Sequence, residues 1–178
     1  MNIELNVNGQ PRSAEVPDRS LLADVLRDHF GLTGTHVGCD TSQCGCCTVL
    51  LDGVAIKSCS MLAAQAQGCH ITTIEGLADG DANAPVLHPV QAAFTACHAL
   101  QCGFCTPGMI MASVSLLQTH PQPTDAQIAE GLAGNLCRCT GYLNIAKAVR
   151  QAGDVMQAAA LATSASTSAM VTVLGQPQ

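Results

Sequence analysis

The chain has 178 residues and a formal charge of −6, with seven Lys and Arg against thirteen Asp and Glu, which excludes nucleic acid as a natural partner. Charged residues make up only 11% and aromatics 2%, and small side chains supply much of the 48% apolar content, so large core-forming residues are few. No stretch approaches the length needed to span a bilayer, and Met1-Asn2-Ile3-Glu4-Leu5 lacks a basic region followed by an apolar run, so a cytoplasmic location is expected.

In chain order, Ile3, Leu5 and Val7 alternate with polar residues and lead into Asn8-Gly9, a two-residue hairpin signal; a second strand through about Val16 completes the hairpin. Ser20 is an expected N-cap for a short helix whose face is Leu21, Leu22, Val25 and Leu26, ending near Gly31. Thr48 to Leu51 and Val54 to Lys57 read as strands about Asp52-Gly53, with a further strand over Ile71 to Ile74. These elements predict a small α+β sheet domain over residues 1–77, wrapped by one helix. Residues 78–88 read as a linker. Helical signals follow: Pro89 at a first helical position with Val90, Phe94 and Cys97 at core spacing to about Ala99, then Thr106-Pro107 as N-cap and N1 of a helix to about Thr119. Thr124 and Gln127 form a capping box with Gly134 as the stop, and a last helix runs from after Thr140 to about Met156. Four helices with cysteines at their junctions predict a helical domain over 89–156. The Ala/Ser/Thr-rich segment 157–178 reads as a disordered tail, with docking along a partner as the alternative.

Eight of the eleven cysteines fall into two sets of four. Cys39, Cys44, Cys47 and a distant Cys59 have the plant-type C-x4-C-x2-C spacing of a [2Fe–2S] cluster. Glycines around Gly38 and Gly45 leave room for the backbone to wrap the cluster, with N–H groups turned toward anionic sulfur. The second set, Cys102, Cys105, Cys137 and Cys139, is C-x2-C-x31-C-x-C. Four thiolates also satisfy tetrahedral zinc, but Cys137-Arg138-Cys139 is tighter than the gap usual in zinc pairs; iron–sulfur is favoured and zinc stays the alternative. Disulfides would require an oxidising compartment, to which nothing in the chain points. Cys46, Cys69 and Cys97 read as packing residues. Cys102 and Cys105, just before a helix N-terminus, stand where the dipole stabilises thiolate, and Arg138 reads equally as added positive charge or a solvated loop residue. Metal–ligand bonds would supply stability that so small a core lacks. Two oxidised clusters would carry the formal charge to about −10.

The strings Gly38-Cys39-Asp40-Thr41-Ser42-Gln43-Cys44, Gln101-Cys102-Gly103-Phe104-Cys105-Thr106-Pro107-Gly108-Met109 and Gly134-Asn135-Leu136-Cys137-Arg138-Cys139-Thr140-Gly141-Tyr142 resemble the small iron–sulfur subunit of the molybdenum hydroxylases. The resemblance spans nearly all of residues 1 to 156. Within that family, Cys39-Asp40-Thr41-Ser42, Lys57-Ser58-Cys59 and Ile71-Thr72-Thr73-Ile74-Glu75-Gly76 are most similar to the small subunit of aerobic carbon monoxide dehydrogenases. It implies a ferredoxin-like β-grasp domain followed by a four-helix domain, each holding one [2Fe–2S] cluster, the helical domain's nearer molybdenum and the sheet domain's nearer FAD. It also implies that Gln101 contacts molybdopterin, as the cytosine dinucleotide, and that Cys139 lies beside the pterin. The implied partners are a large molybdopterin-binding subunit and a medium FAD-binding subunit, in a dimer of heterotrimers that can rest against a membrane. Carbon monoxide oxidation is the favoured overall reaction on this resemblance, with hydroxylation of an N-heterocycle or aldehyde as the alternative. Cys46 departs from the family by standing where a small residue such as Ala is common, and His36 by standing where a basic residue is common; neither removes a ligand. A stand-alone ferredoxin would leave the second cysteine set without a role, and a zinc-stapled binding module would carry no iron. The six scattered His disfavour a Rieske-type site.

Overall fold

The computed structural model describes residues 1–80 and 84–173, and side chains as far as residue 163. Alternation in β1 (Asn2–Val7) turns Ile3, Leu5 and Val7 to one buried face. Asn8 and Gly9, at φ of 54° and 73°, make the tight turn into β2 (Gln10–Glu15), the two positive values a primed hairpin turn requires. Asp52 and Gly53, at 49° and 85°, repeat that solution between β3 (Thr48–Leu51) and β4 (Val54–Lys57). With β5 (His70–Thr72), the five strands lie in the order β2-β1-β5-β3-β4, β1 running parallel to β5 and the remaining pairs antiparallel. Helix α1 (Leu22–Asp24) widens into a π turn over Val25–His29 and lays Leu22, Val25 and Leu26 on the core of Ile3, Leu5, Val7, Val49 and Ile71.

Ser20 is not the cap of α1. The N-cap is Leu21, which makes no side-chain cap, and the N–H of Leu22 donates to Met61 O at 2.8 Å while Ser20 O accepts from Ala63 N at 2.9 Å. Backbone pairing with residues some forty positions away replaces the local cap. Within the expected linker, Asp79 and Val86 exchange two backbone hydrogen bonds of 2.9 and 2.7 Å, closing it into a loop; residues 81–83 lie outside the described residues.

Among the described residues four helices follow: α2 (Pro89–Ala96), α3 (Thr106–Thr119), α4 (Asp125–Gly131) and α5 (Leu143–Val173). Helix α2 is capped by His88, whose Nδ1 accepts from Val90 N at 3.2 Å, with Gln91 returning to His88 N at 3.0 Å. The Thr124–Gln127 capping box forms as expected. Two boundaries differ. Helix α4 stops at Gly131, three residues before Gly134, because residues 132–136 turn back to bond the first cysteine loop. Helix α5 continues past Met156 to Val173, against the disorder expected of that stretch; its Ala-rich sequence favours helix, although the side chains of 157–163 are exposed. Residues 174–178 lie outside the described residues.

The two halves share a seam at β3, which is buried on both faces. Val49 joins the core beneath α1, while the next residue, Leu50, joins Met109, Ile110 and the other helical core residues. The N–H of Ala55 donates to Ser115 Oγ on α3 at 3.1 Å. Period-two alternation therefore serves two cores from one strand, and it brings the start of α3 against the loop that precedes β3.

Candidate metal centres

The loop from Gly38 to Cys47 makes close turns with few regular elements. The N–H of Cys44 donates to Cys39 Sγ at 3.4 Å, and Thr48 closes the far end on Gly45 O through its hydroxyl at 2.7 Å and its N–H at 3.1 Å. Ser42 holds φ at 59° and Gly45 at 75°, whereas Gly38 keeps a negative φ, so the left-handed positions expected of the glycines fall on one glycine and one serine. Cys59 arrives from a single 3-10 turn, Ser58–Ser60, anchored by Ser58, whose Oγ and N–H both donate to Cys47 O at 2.7 and 3.3 Å. Its Sγ lies 3.7 Å from Ser42 Oγ. Backbone N–H groups, first that of Cys44 and then that of Thr41, hold the Cys39 thiol down at about 6. Burial, with Cys59 close by, pushes the Cys47 thiol up to about 11. The four thiols thus stand as two pairs, Cys39 with Cys44 and Cys47 with Cys59.

The second set has the same two-by-two form. Cys139 and Cys102 lie 3.6 Å apart, sulfur to sulfur, and Cys105 pairs with Cys137. Cys105, not Thr106, is the N-cap of α3, and Thr106 Oγ1 is buried without a partner at the helix mouth. Burial pushes Cys105 up to about 12. Burial also opposes ionisation of Cys137, but Thr140, whose Oγ1 is 3.1 Å from the sulfur, outweighs it and holds the thiol below its ordinary value. Tyr142 Oη accepts from Cys137 N at 2.9 Å and fixes the turn. A cavity of about 310 Å³ opens here, lined by Cys102, Cys105, Cys139 and Arg138 together with Cys44 and Cys46 of the first loop. Gln101, Cys102, Arg138 and Cys139 are all exposed.

Each iron of a [2Fe–2S] cluster takes two of the four thiolates, so two close pairs per site fit that group better than one tetrahedral nest would. Among the described residues no group of three or more His, Cys, Asp or Glu is set around a single-ion centre. Of the remaining cysteines, Cys46 and Cys97 are buried, and Cys97 donates to Gln151 Oε1 at 3.1 Å; Cys69 is half-buried beside Asp52, which opposes its ionisation.

Several residues that hold the two sites together carry no spacing signal. Asn135, buried, donates through Nδ2 to Gly45 O at 2.9 Å and to Thr48 Oγ1 at 3.2 Å. The N–H of Leu136 donates to Cys44 O at 2.8 Å, and Lys57 Nζ donates to Gly134 O. Gly108, in the first turn of α3, presses on the backbone of Gly45 so closely that a Cβ there would strike Gly45 O. His36 stacks on Phe104 with ring centroids 4.8 Å apart and bonds Phe104 O through Nδ1 at 2.8 Å.

A mixed sheet domain with one pairwise thiol set, joined to a helical domain with another, defines a two-centre iron–sulfur electron carrier. Residues 5–74 match the 2Fe-2S iron-sulfur cluster binding domain and residues 73–150 the [2Fe-2S] binding domain, which meet where the sheet ends. The chain is 49% identical over 152 residues to the nicotine 6-hydroxylase small subunit of Paenarthrobacter nicotinovorans, covering 85% of this chain and 89% of that one. Among solved structures, quinoline 2-oxidoreductase from Pseudomonas putida 86 is 45% identical with a TM-score of 0.82, covering 88% of this chain and 96% of that chain. The aldehyde oxidoreductase from Desulfovibrio gigas is 39% identical with the same TM-score of 0.82; the match covers 89% of this chain but 17% of that one. The chain belongs to the small iron–sulfur subunits of the molybdenum hydroxylases, and its part in such an oxidoreductase is electron transfer. When bound, the clusters supply one-electron carriage. Among the described residues no helix is long and apolar enough to cross a membrane.

Proposed function

We propose that Cys39, Cys44, Cys47 and Cys59 hold one [2Fe–2S] cluster in a domain over residues 1–77, and that Cys102, Cys105, Cys137 and Cys139 hold the other in a domain over 89–156. The observation that carries this reading is the pairwise approach of the thiols, with Leu136 N–H on Cys44 O linking the two sets through one hydrogen bond. Cys44 and Leu136 belong to one bonded path that reaches Cys137 by the next peptide unit, so the chain's own backbone offers a short connection between the centres. The second set is the entry side, since the exposure of Gln101 and Cys139 suits contact with molybdopterin, in its cytosine dinucleotide form, on a large partner subunit. The first set, half-buried apart from the buried Cys47, is the exit side, toward FAD on a medium subunit. In the Desulfovibrio protein the matching region is 17% of one longer chain, which supports partners that supply the rest; the assembly is a dimer of heterotrimers in the cytoplasm.

The substrate of the whole complex is an N-heterocycle. Two of the three relatives described above carry nicotine and quinoline in their names and the third an aldehyde, which favours an N-heterocycle over the carbon monoxide expected from short strings of the sequence. The test is dye reduction by the native, molybdenum-replete complex captured through a tag on this chain. Reduction with nicotine or quinoline and none with carbon monoxide is the expected result; reduction by carbon monoxide alone overturns the substrate reading. Metal analysis of the same sample is expected to give about four iron and four labile sulfide per copy of this chain. Zinc in their place removes the electron-transfer reading altogether.

A further inference from the structure

His36 belongs to the sheet domain, just upstream of Cys39, yet its ring and its hydrogen bond go to the second cysteine set. The ring lies on that of Phe104, centroids 4.8 Å apart at an interplanar angle of 17°, and Nδ1 stands 2.8 Å from Phe104 O. A carbonyl oxygen can only accept, so Nδ1 carries the hydrogen and donates it. Phe104 lies between Cys102 and Cys105 and lines the cavity those thiols share with Cys139; being 46% exposed, it stands at the rim. Its ring also reaches the first loop, since a Cβ on Gly38 would lie 2.9 Å from Phe104 Cε1. The turn that carries it is open at Gly103, where φ is 84° and an added Cβ would meet nothing within 4 Å. Asn135 and Leu136 tie the approach to Cys137 and Cys139 to the first loop, and His36 ties the opposite half of the second site, the turn from Cys102 to Cys105.

We propose that His36 is a positioning residue for the second centre: by stacking and hydrogen bonding across the seam between the domains, it holds the Phe104 ring at the rim of the thiol cavity and keeps water from the side of Cys102 and Cys105. This rests on the reading that Cys102, Cys105, Cys137 and Cys139 hold a [2Fe–2S] cluster. Solvent exposure is among the factors that set such a cluster's reduction potential. Reduction adds negative charge to a group that is already anionic, and water solvates that charge better than an aromatic ring does, so a covered centre is harder to reduce. The clasp therefore lowers the potential of the second centre and favours onward passage of an electron to the first, the direction proposed above. Without His36 the half-exposed ring is free to turn outward to another rotamer, and water enters.

The test is a potentiometric titration of the intact complex followed by electron paramagnetic resonance, with His36→Ala, His36→Phe and Phe104→Ala compared with the native chain. The signal that disappears in Cys139→Ala identifies the second centre. In His36→Ala, iron and sulfide are expected to stay native while the second centre's midpoint rises, so it is more than half reduced at the potential that half-reduces the native centre. The first centre moves less, although His36 is nearer to its ligands along the chain. His36→Phe keeps a ring to stack and lacks the donor and any charge, and its midpoint falls between those of His36→Ala and the native chain. Phe104→Ala removes the covering ring itself and raises the midpoint at least as far, which carries the test if His36→Ala loses iron. A native midpoint in fully loaded His36→Ala, or a larger shift at the first centre than at the second, overturns the positioning role. So does a His36→Phe midpoint no nearer native than that of His36→Ala, since the stack would then hold nothing. Retention of both signals and all the iron in Cys139→Ala instead overturns the ligand reading, and the metal content of that variant tells the two failures apart.

Discussion

The two cysteine sites solve one problem with different materials. The first draws three thiols from a single nine-residue stretch, Cys39 to Cys47, and a fourth from one adjacent turn; Cys47 is 1% exposed, and the supporting hydrogen bonds come from the loop itself, from Ser58 on that turn and from Asn135 and Leu136. The second gathers its thiols from two junctions between helices, with Cys102 and Cys139 exposed and much of its support borrowed through Asn135 and Leu136 from the first loop. A site built mostly from local chain leaves none of its four thiols fully exposed. One assembled from distant junctions stays open at the surface, where a partner's cofactor can approach.

The largest effects are expected from the ligands. Cys47→Ala should remove the first centre and about half of the iron while sparing the second, and Cys139→Ala should do the converse and block flavin reduction by substrate; both are read by metal analysis and paramagnetic resonance. Loss of both centres in Cys47→Ala would mean that the helical site cannot load without the first loop.

Next comes the seam. Gly45→Ala places a Cβ 2.5 Å from Gly134 O on a backbone at φ 75°, so a loss on the order of 3 kcal/mol is expected. Gly9→Ala has a similar φ of 73° but meets nothing within 4 Å, and should lose about 1 kcal/mol from the left-handed backbone alone. Thermal bleaching of the complex compares them, and equal losses would show that the seam contributes nothing. Asn135→Ala removes the donor to Gly45 O and Thr48 Oγ1 and should lower stability by about 1–3 kcal/mol, with the second centre lost before the first on heating.

A smaller effect separates the helical half alone. Burial holds His88 below its ordinary value near 6.5, with Asp79 opposing, and its neutral Nδ1 accepts from Val90 N. A histidine depressed in the fold contributes fully above its unfolded value, and its contribution fades as pH falls through about 6.5 toward the lower folded value. Hydrogen exchange at Val90, corrected for intrinsic rate, should therefore quicken between pH 7.5 and 5.5 by a few-fold at most, with no change in the first loop. Smallest of all, Arg150→Ala breaks an exposed pair with Asp125 and should cost no more than about 0.5 kcal/mol in thermal bleaching of the complex.

Features specified by near neighbours were legible along the chain. Asn8-Gly9 and Asp52-Gly53 fit left-handed turns, Thr124 and Gln127 cap each other three residues apart, and the cysteine spacings announce two sets. Such features are legible because residue type and backbone geometry are coupled within a few positions. The tertiary structure decided the rest. Leu21 replaced Ser20 at a helix start because a distant strand-like segment satisfied its backbone, and α4 stopped early because Asn135 and Leu136 had partners ninety positions away. The seam between the sites follows the same rule: Leu50 facing α3 while Val49 faces α1, Gly108 against Gly45, and Cys46 between two sets of thiols. Each depends on which surfaces meet once the chain has closed long loops, and hydrophobic burial, which selects those surfaces, is non-directional and leaves no fixed spacing in the sequence.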